Sequence, residues 1–308
     1  MPGPFRFGVQ VSQGESMSDW RDKARKIEDL GYSTLFMPDH FGQELAPMPA
    51  IAMAAASTTT LRIGSLVFDN DYKHPAILAK EAATIDVLSD GRVELGIGAG
   101  WMKSDYDALG LPYDSPAVRV DRFEEALAII KGCFTGEPFT YHGEHYRVTD
   151  YASFPKPVGL LPILIGGGGK RVLSIAGREA DIVGINPNLR AGEINAEAAR
   201  DSLRERTDQK VQWIREAAGA RWDDLEIQMR FFVCKITDDR NSLAEAIAPM
   251  FGVGPDEALE SGSALVGTVD EVIDQLQQRR DRWGLSYVVV GDENVDEFAP
   301  VVAKLAGS

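Results

Sequence analysis

The sequence has little cysteine, little histidine, no long apolar run and a deficit of positive charge, and each shortage removes a class of protein. Its two cysteines, Cys133 and Cys234, lie far apart and follow no metal-ligand or disulfide spacing. That excludes a disulfide-stapled scaffold and makes a reducing cytoplasm the expected compartment. His142 and His145 flank Glu144 on a strand-like ribbon, but three such residues do not close a metal site, so no metal is expected. No stretch approaches the roughly eighteen apolar residues of a membrane span, and the opening "MPGPFRFGVQVSQ" carries no long apolar core before a small-residue cleavage site. Lys and Arg number 32 against 47 Asp and Glu, a formal net charge of −15. Such a surface repels nucleic acid and anionic lipid at long range, so any anionic ligand must be held by local donors. Three catalytic signatures are missing as well. No G-x-G-x-x-G follows the first strand candidate, no G-x-S-x-G is present, and Arg171 stands where a nucleotide-binding P-loop requires Ser or Thr.

What is present is an alternation. Short apolar, β-branched runs recur at Phe5 to Gln10, Thr34 to Met37, Leu61 to Ser65, Arg92 to Ile97, Ile163 to Gly166, Ile182 to Ile185, Ile227 to Cys234 and Tyr287 to Gly291. Stretches of helical period separate them, such as "MSDWRDKARKIEDLG", with a Ser/Asp start and a Gly stop, and the long "AGEINAEAARDSLRERTDQKVQWIREAAG". Eight such units in 308 residues predict an α/β fold, a single (β/α)8 TIM barrel over 1–308, in preference to a doubly wound open sheet. Two segments interrupt the rhythm. "GEPFTYHGEHYRVTDYASFPKP" reads as a β-hairpin excursion before strand five, and the Gly/Pro-punctuated "MFGVGPDEALESGSAL" as a mobile cover over a site.

In a parallel barrel the site sits at the C-terminal ends of the strands, so the residues following each strand are the informative ones. Asp39 and His40 follow strand two, each open to a helix-capping or edge role as well as a catalytic one. After strand four, Gly98, Ala99 and Gly100 let a flat ligand approach the backbone, and Trp101 is placed to cover it. After strand five, "LPILIGGGGKR" leaves bare backbone N–H groups at a helix start beside Lys170 and Arg171. Oriented amides, the helix dipole and two cations make a phosphate cradle whatever the distant charges do.

The "PDH" after strand two, "KHPAILAKEAATIDVLSDGRVELGIGAGWMKSDYDALG", "GGGGKR" and "LVGTVDEVIDQLQQRRDRWGLSYVVV" together resemble the luciferase-like monooxygenase superfamily over essentially the whole chain. Within it the chain is most similar to the oxidoreductases that use the deazaflavin coenzyme F420. The resemblance implies a flat redox ring in the barrel mouth and hydride transfer to or from a small-molecule substrate. His40 would move the proton, oriented by Asp39 or a neighbour. Ser65 and Leu66 match a non-prolyl cis peptide behind the ring, Gly98, Ala99 and Gly100 the segment along it, and Gly167, Gly168, Gly169, Lys170 and Arg171 the phosphate loop. Trp101 stands where the family's sugar-phosphate dehydrogenases carry a glutamate, with Asp105 the nearest carboxylate, which argues against a sugar phosphate. The aromatics Phe41, Phe68, Trp101 and Tyr106 favour a small apolar or planar substrate. The alternatives are an FMN-dependent monooxygenase fed by a partner reductase, and a flavin- or F420-binding protein without turnover. The resemblance also implies a homodimer formed through barrel helices, with the Ala-rich "PAIAMAAAS" as the candidate face.

Overall fold

The computed structural model describes residues 3–308. Eight parallel strands run in chain order: β1 (Arg6–Gln10), β2 (Thr34–Met37), β3 (Arg62–Ser65), β4 (Val93–Gly98), β5 (Ile163–Gly167), β6 (Ile182–Ile185), β7 (Glu226–Arg230) and β8 (Leu285–Gly291). Each pairs with the next, and β8 returns to β1 in register (Arg6 with Tyr287, Gly8 with Val289), so the sheet closes on itself as a (β/α)8 barrel. The open-sheet alternative is thereby set aside.

The strands hold because their runs are apolar on both faces, as a barrel wrapped in helices demands. Parity sorts the side chains. Phe36, Leu164, Tyr287 and Val289 pack together in one cluster, whereas their neighbours Leu35, Met37, Ile163, Ile165, Val288 and Val290 join the larger cluster under the helices. Each such side chain, fully buried, contributes about 1.5–3 kcal/mol. Local signals bound the helices, though the first is capped by Ser16, just ahead of the Ser18/Asp19 start that the sequence offers. Ser16 caps Met17–Asp29 by accepting the Asp19 N–H, and Thr268 with Glu271 forms a capping box at the head of Val269–Trp283, which stops at the left-handed Gly284. The long helix expected before β7 is two helices, Ala196–Arg200 and Arg204–Ala218. It breaks because Asp201 turns inward, accepting the Asn188 N–H at 2.7 Å and pairing with buried Lys210 at 2.6 Å.

The seventh strand also differs from expectation. It ends at Arg230 because the chain changes partners. The Phe231 N–H donates to Val289, but those of Phe232 and Val233 donate to Ser263. Val233–Ile236 then pairs with Ala264–Gly267 as a separate two-stranded parallel ribbon. Between these two strands, Arg240–Phe251 and Pro255–Leu259 are helices sharing a small core of Ile247, Phe251, Leu259 and Val266. The segment read as a mobile cover is therefore packed structure. The hairpin is present, Phe139–His142 against antiparallel Arg147–Tyr151, its turn fastened by Glu125, which accepts the N–H groups of Glu144, His145 and Tyr146.

A charge network fills the barrel interior around Glu94 on β4, which is fully buried. It receives Arg6 at 2.9 Å, Arg62 at 2.6 Å and the Tyr287 hydroxyl at 3.0 Å. Among the described residues no helix is long and apolar enough to cross a membrane. Both cysteines are free and buried.

Candidate functional site

The C-terminal ends of the strands surround a cavity of about 730 Å³, and most of the residues singled out in the sequence line it: Asp39, His40, Leu66, Gly98, Ala99, Gly100, Trp101 and the whole run Gly167 to Arg171. Ser65 does not. It is fully buried, and its hydroxyl donates to the Met37 carbonyl at 2.8 Å, a contact that ties β3 to β2 beneath the cavity. Phe41 and Tyr106 are also absent from the walls. Phe41 lies outside on Tyr72, with ring centres 4.9 Å apart, and Tyr106 is fully buried behind the site. Neither the hairpin nor the packed segment 255–265 lines the cavity.

His40 is held from one side. Its Nδ1 meets Asp105 Oδ2 at 2.8 Å, and Trp101 stands edge-on to its ring at 5.5 Å. Asp105, at the start of the helix Lys103–Leu109, is buried and also accepts the Tyr72 hydroxyl at 3.3 Å. A carboxylate on Nδ1 selects the tautomer with its proton there and leaves Nε2 as the exchanging atom. The orienting acid is therefore Asp105, sixty-five positions away, and not the adjacent Asp39. Asp39 has other work. Its Oδ2 accepts the Asp69 N–H at 3.1 Å, so it pins the short strand Phe68–Asp69 that pairs with Ile97 and Gly98. Burial pushes its carboxyl above the usual range.

Behind the Ala99–Gly100 backbone lies a second acidic group. The Tyr106 hydroxyl is 3.0 Å from both Asp69 Oδ2 and Asp71 Oδ2, yet it has one proton to donate. Arg122 grips Asp71 with two nitrogens, at 2.8 and 2.9 Å. Burial, reinforced by the charges of Asp71 and Asp39, pushes the Asp69 carboxyl up to about 7. A proton on Asp69 supplies the donor that the hydroxyl cannot. Gly100 is required here: its φ is +76°, and a Cβ on it would collide with the Tyr106 hydroxyl and stand 2.6 Å from Asp69 Oδ2.

The floor of the cavity is made where β3 runs out. A non-prolyl cis peptide is present, but it joins Leu66 to Val67, one residue later than the Ser65–Leu66 expectation. Val67 lies across β4 and β5 over glycines. A Cβ on Gly98 would come within 2.9 Å of the Val67 side chain, and one on Gly166 within 3.1 Å. The Leu66 carbonyl is fixed by Gln10 Nε2 at 2.8 Å.

The glycine turn runs from the end of β5 into the helix Lys170–Glu179, whose first turn has no side-chain cap. Its amides are thus left for a ligand. Gly168 passes so close to the next connection that a Cβ there would collide with the Pro187 carbonyl. The two cations differ. Arg171 is engaged with Asp121 at 2.6 Å and with Glu124, both on the helix Pro116–Thr135, and these bonds raise its proton affinity. It fastens the turn to its neighbour, so the cation left for an anion is Lys170, which forms no ion pair among the described residues. The residues fit a flat ring with an anionic tail: a backbone floor of glycine and Val67 for the ring, bare amides and a lysine for the tail.

Asp69 opens the loop "DNDYKH", from which sequence reasoning expects substrate contacts, whereas Gln10 and Arg230 escape it, and all three line this cavity. Arg230 was hidden inside an apolar run read as one continuous strand. The signal was the charge itself, since an arginine inside "QMRFF" has no place on a strand buried on both faces.

A family model described as luciferase-like monooxygenase matches residues 3–286. A curated F420-dependent glucose-6-phosphate dehydrogenase of Nakamurella multipartita is 28% identical over 92% of this chain and 84% of its own length. An FMNH2-dependent dimethylsulfone monooxygenase of Pseudomonas fluorescens is 29% identical over 62% of this chain and 57% of its own length. Among solved structures, the coenzyme F420 dependent tetrahydromethanopterin reductase of Methanopyrus kandleri superposes with a TM-score of 0.78 at 18% identity, covering 98% of this chain and 100% of that one. An F420-dependent secondary alcohol dehydrogenase superposes with a TM-score of 0.77, also at 18% identity, covering 98% and 99%.

Proposed function

The chain belongs to the luciferase-like monooxygenase family and is an oxidoreductase, and from that premise we propose that its electron carrier is coenzyme F420 and its reaction a hydride transfer with a small organic substrate. One observation carries the reading: a single cavity holds both an imidazole fixed on one nitrogen by a buried carboxylate and an uncapped glycine turn with Lys170. The relative from N. multipartita, which spans most of the chain, supports F420 as the carrier.

When bound, coenzyme F420 supplies a ring carbon that gives or accepts hydride. The amides of Gly167 to Gly169 and Lys170 would hold its anionic tail, and Gly98, Gly100 and Val67 would meet its ring. Asp105 keeps the His40 proton on Nδ1, so Nε2 takes a proton from a substrate hydroxyl during oxidation, or returns one during reduction. Proton transfer of this kind contributes roughly 10²- to 10⁴-fold. Trp101, edge-on to His40, gives this side of the cavity an apolar wall and favours an apolar substrate face.

The second reading, an FMN-dependent monooxygenase supplied by a partner reductase, has the P. fluorescens relative in its favour. Titration of the purified protein with each carrier decides between them. F420 binding in the low micromolar range, with its visible absorbance lost on adding an alcohol or regained on adding a carbonyl compound, is the expected result. Tighter binding of FMN, with oxygen consumption when it is reduced, overturns it. Binding of either carrier with no turnover points to a binding protein.

We take the protein to act in the cytoplasm as a homodimer. The candidate face is an apolar groove formed by Met48, Pro49, Ala76, Ile77 and Ile85 on the helices Pro47–Ser57 and Pro75–Leu88. Sedimentation tests it: Ile77→Asp, at a half-exposed position, should halve the sedimenting mass.

A further inference from the structure

Arg230 ends β7 and lines the cavity, yet no role above uses it. Only 10% of its side chain is exposed, and burial lowers its proton affinity. Gln10, at the end of β1, fixes its plane: Gln10 Oε1 accepts from Arg230 Nε at 3.1 Å, while Gln10 Nε2 donates to the Leu66 carbonyl at 2.8 Å. A second nitrogen donates to the Phe231 carbonyl. The third faces Glu293, whose Oε1 stands 3.9 Å away on a carboxylate that is 64% exposed.

A guanidinium presents five N–H donors in a rigid fork. Here two nitrogens are engaged by neutral oxygens, and no carboxylate reaches hydrogen-bond distance of the third. A cation withdrawn from water whose counter-charge stands 3.9 Å away on a largely exposed carboxylate, with the Phe232 ring at 5.1 Å as its other support, is incompletely compensated, and an anion at hydrogen-bond distance improves on that. The fork's planar geometry matches a carboxylate. Asp292 and Glu293 on the same rim oppose every negative charge brought there, and a dianion twice as strongly as a monoanion, so one charge facing Arg230 is the arrangement they disfavour least.

We propose that Arg230 anchors the carboxylate of the substrate, held in plane by Gln10, so that the substrate class is a small, singly charged organic acid whose reacting carbon is presented to the same cavity. The carboxylate is held and not transformed, and Glu293 is the partner it displaces. The proposal rests on the oxidoreductase reading of this cavity.

Calorimetric titration of the cofactor-free protein with benzoate, its neutral counterpart benzamide and inorganic phosphate tests it. Benzoate should bind about tenfold more tightly than benzamide. Arg230→Gln should abolish that preference while leaving benzamide binding unchanged. Glu293→Gln, a surface change that leaves the fold intact, should strengthen benzoate binding severalfold. Equal binding of acid and amide, a preference that persists in Arg230→Gln, or displacement of benzoate by lower concentrations of phosphate would each overturn the assignment. If Arg230→Gln does not fold, an unchanged benzoate affinity in Glu293→Gln overturns it alone. Because no cofactor is used, failure to bind F420 counts against the electron carrier and not against this anchor.

Discussion

The Nδ1 of His40 and the Oδ2 of Asp105 lie 2.8 Å apart, joining the loop after β2 to the short helix after β4. The pair is stiff because the carboxylate is buried and braced by Tyr72. The imidazole thus has one nitrogen fixed and the other left free of that bond.

His40→Ala should lower kcat by about 10²- to 10⁴-fold while leaving the dissociation constant for F420 nearly unchanged. Asp105→Asn, which removes the charge and leaves a side chain of the same shape, should lower kcat by at least about tenfold with KM unmoved. Steady-state kinetics beside a binding titration separates the two effects. Equal losses in turnover and cofactor affinity would move both residues from the chemistry to the binding of the ring.

Gly168→Ala and Gly169→Ala form a matched pair. An added methyl at Gly168 runs into the backbone of Pro187, which cannot swing away, whereas at Gly169 it meets only Asn188 Nδ2 at 3.7 Å and φ is −90°. The first should weaken cofactor binding by about tenfold or more; the second should change it little. Similar affinities for the two variants would show that the turn does not hold the tail.

Much of this was legible in the sequence. Barrel strands buried on both faces read as apolar runs, and their number sets the closure. The glycine turn announces itself because nothing else needs four bare amides beside two cations. The partnership of His40 was not legible, since Asp39 is its neighbour in sequence and Asp105 its neighbour in space, and only the packing of two loops decides between them. Arg171 looked like a phosphate ligand until its neighbouring helix supplied Asp121 and Glu124. Arg230 stayed hidden because the apolar run continues beyond the point where the backbone changes partners at Phe231 and Phe232.

Asp69 predicts a pH dependence of stability. Its folded value of about 7 lies above the ordinary 3.8, so the folded protein binds the proton more tightly than the unfolded chain. That contribution is full below about pH 4 and is lost as pH rises through 7. Asp69→Asn removes the titration. The stability of the variant relative to the native protein, measured by urea denaturation, should therefore increase from pH 5 to pH 8. A constant difference would show that Asp69 is ionised throughout.

Glu94→Ala should destabilise the barrel by about 1–3 kcal/mol, because it takes the shared carboxylate from Arg6 and Arg62 and the acceptor from the Tyr287 hydroxyl, while Arg6 keeps Glu226 at 2.8 Å. Chemical denaturation measures it. A loss below about 1 kcal/mol would mean that water reaches these cations.

The glycine floor under Val67 limits how this pocket can change. A surface built from main chain offers evolution and the protein engineer almost nothing to vary, since each added carbon at Gly98 or Gly166 strikes the same valine. On this part of the wall the variable element is the single branched side chain at position 67, where trimming or enlarging one methyl alters the shape of the cavity while the glycine backbone beneath stays as it is.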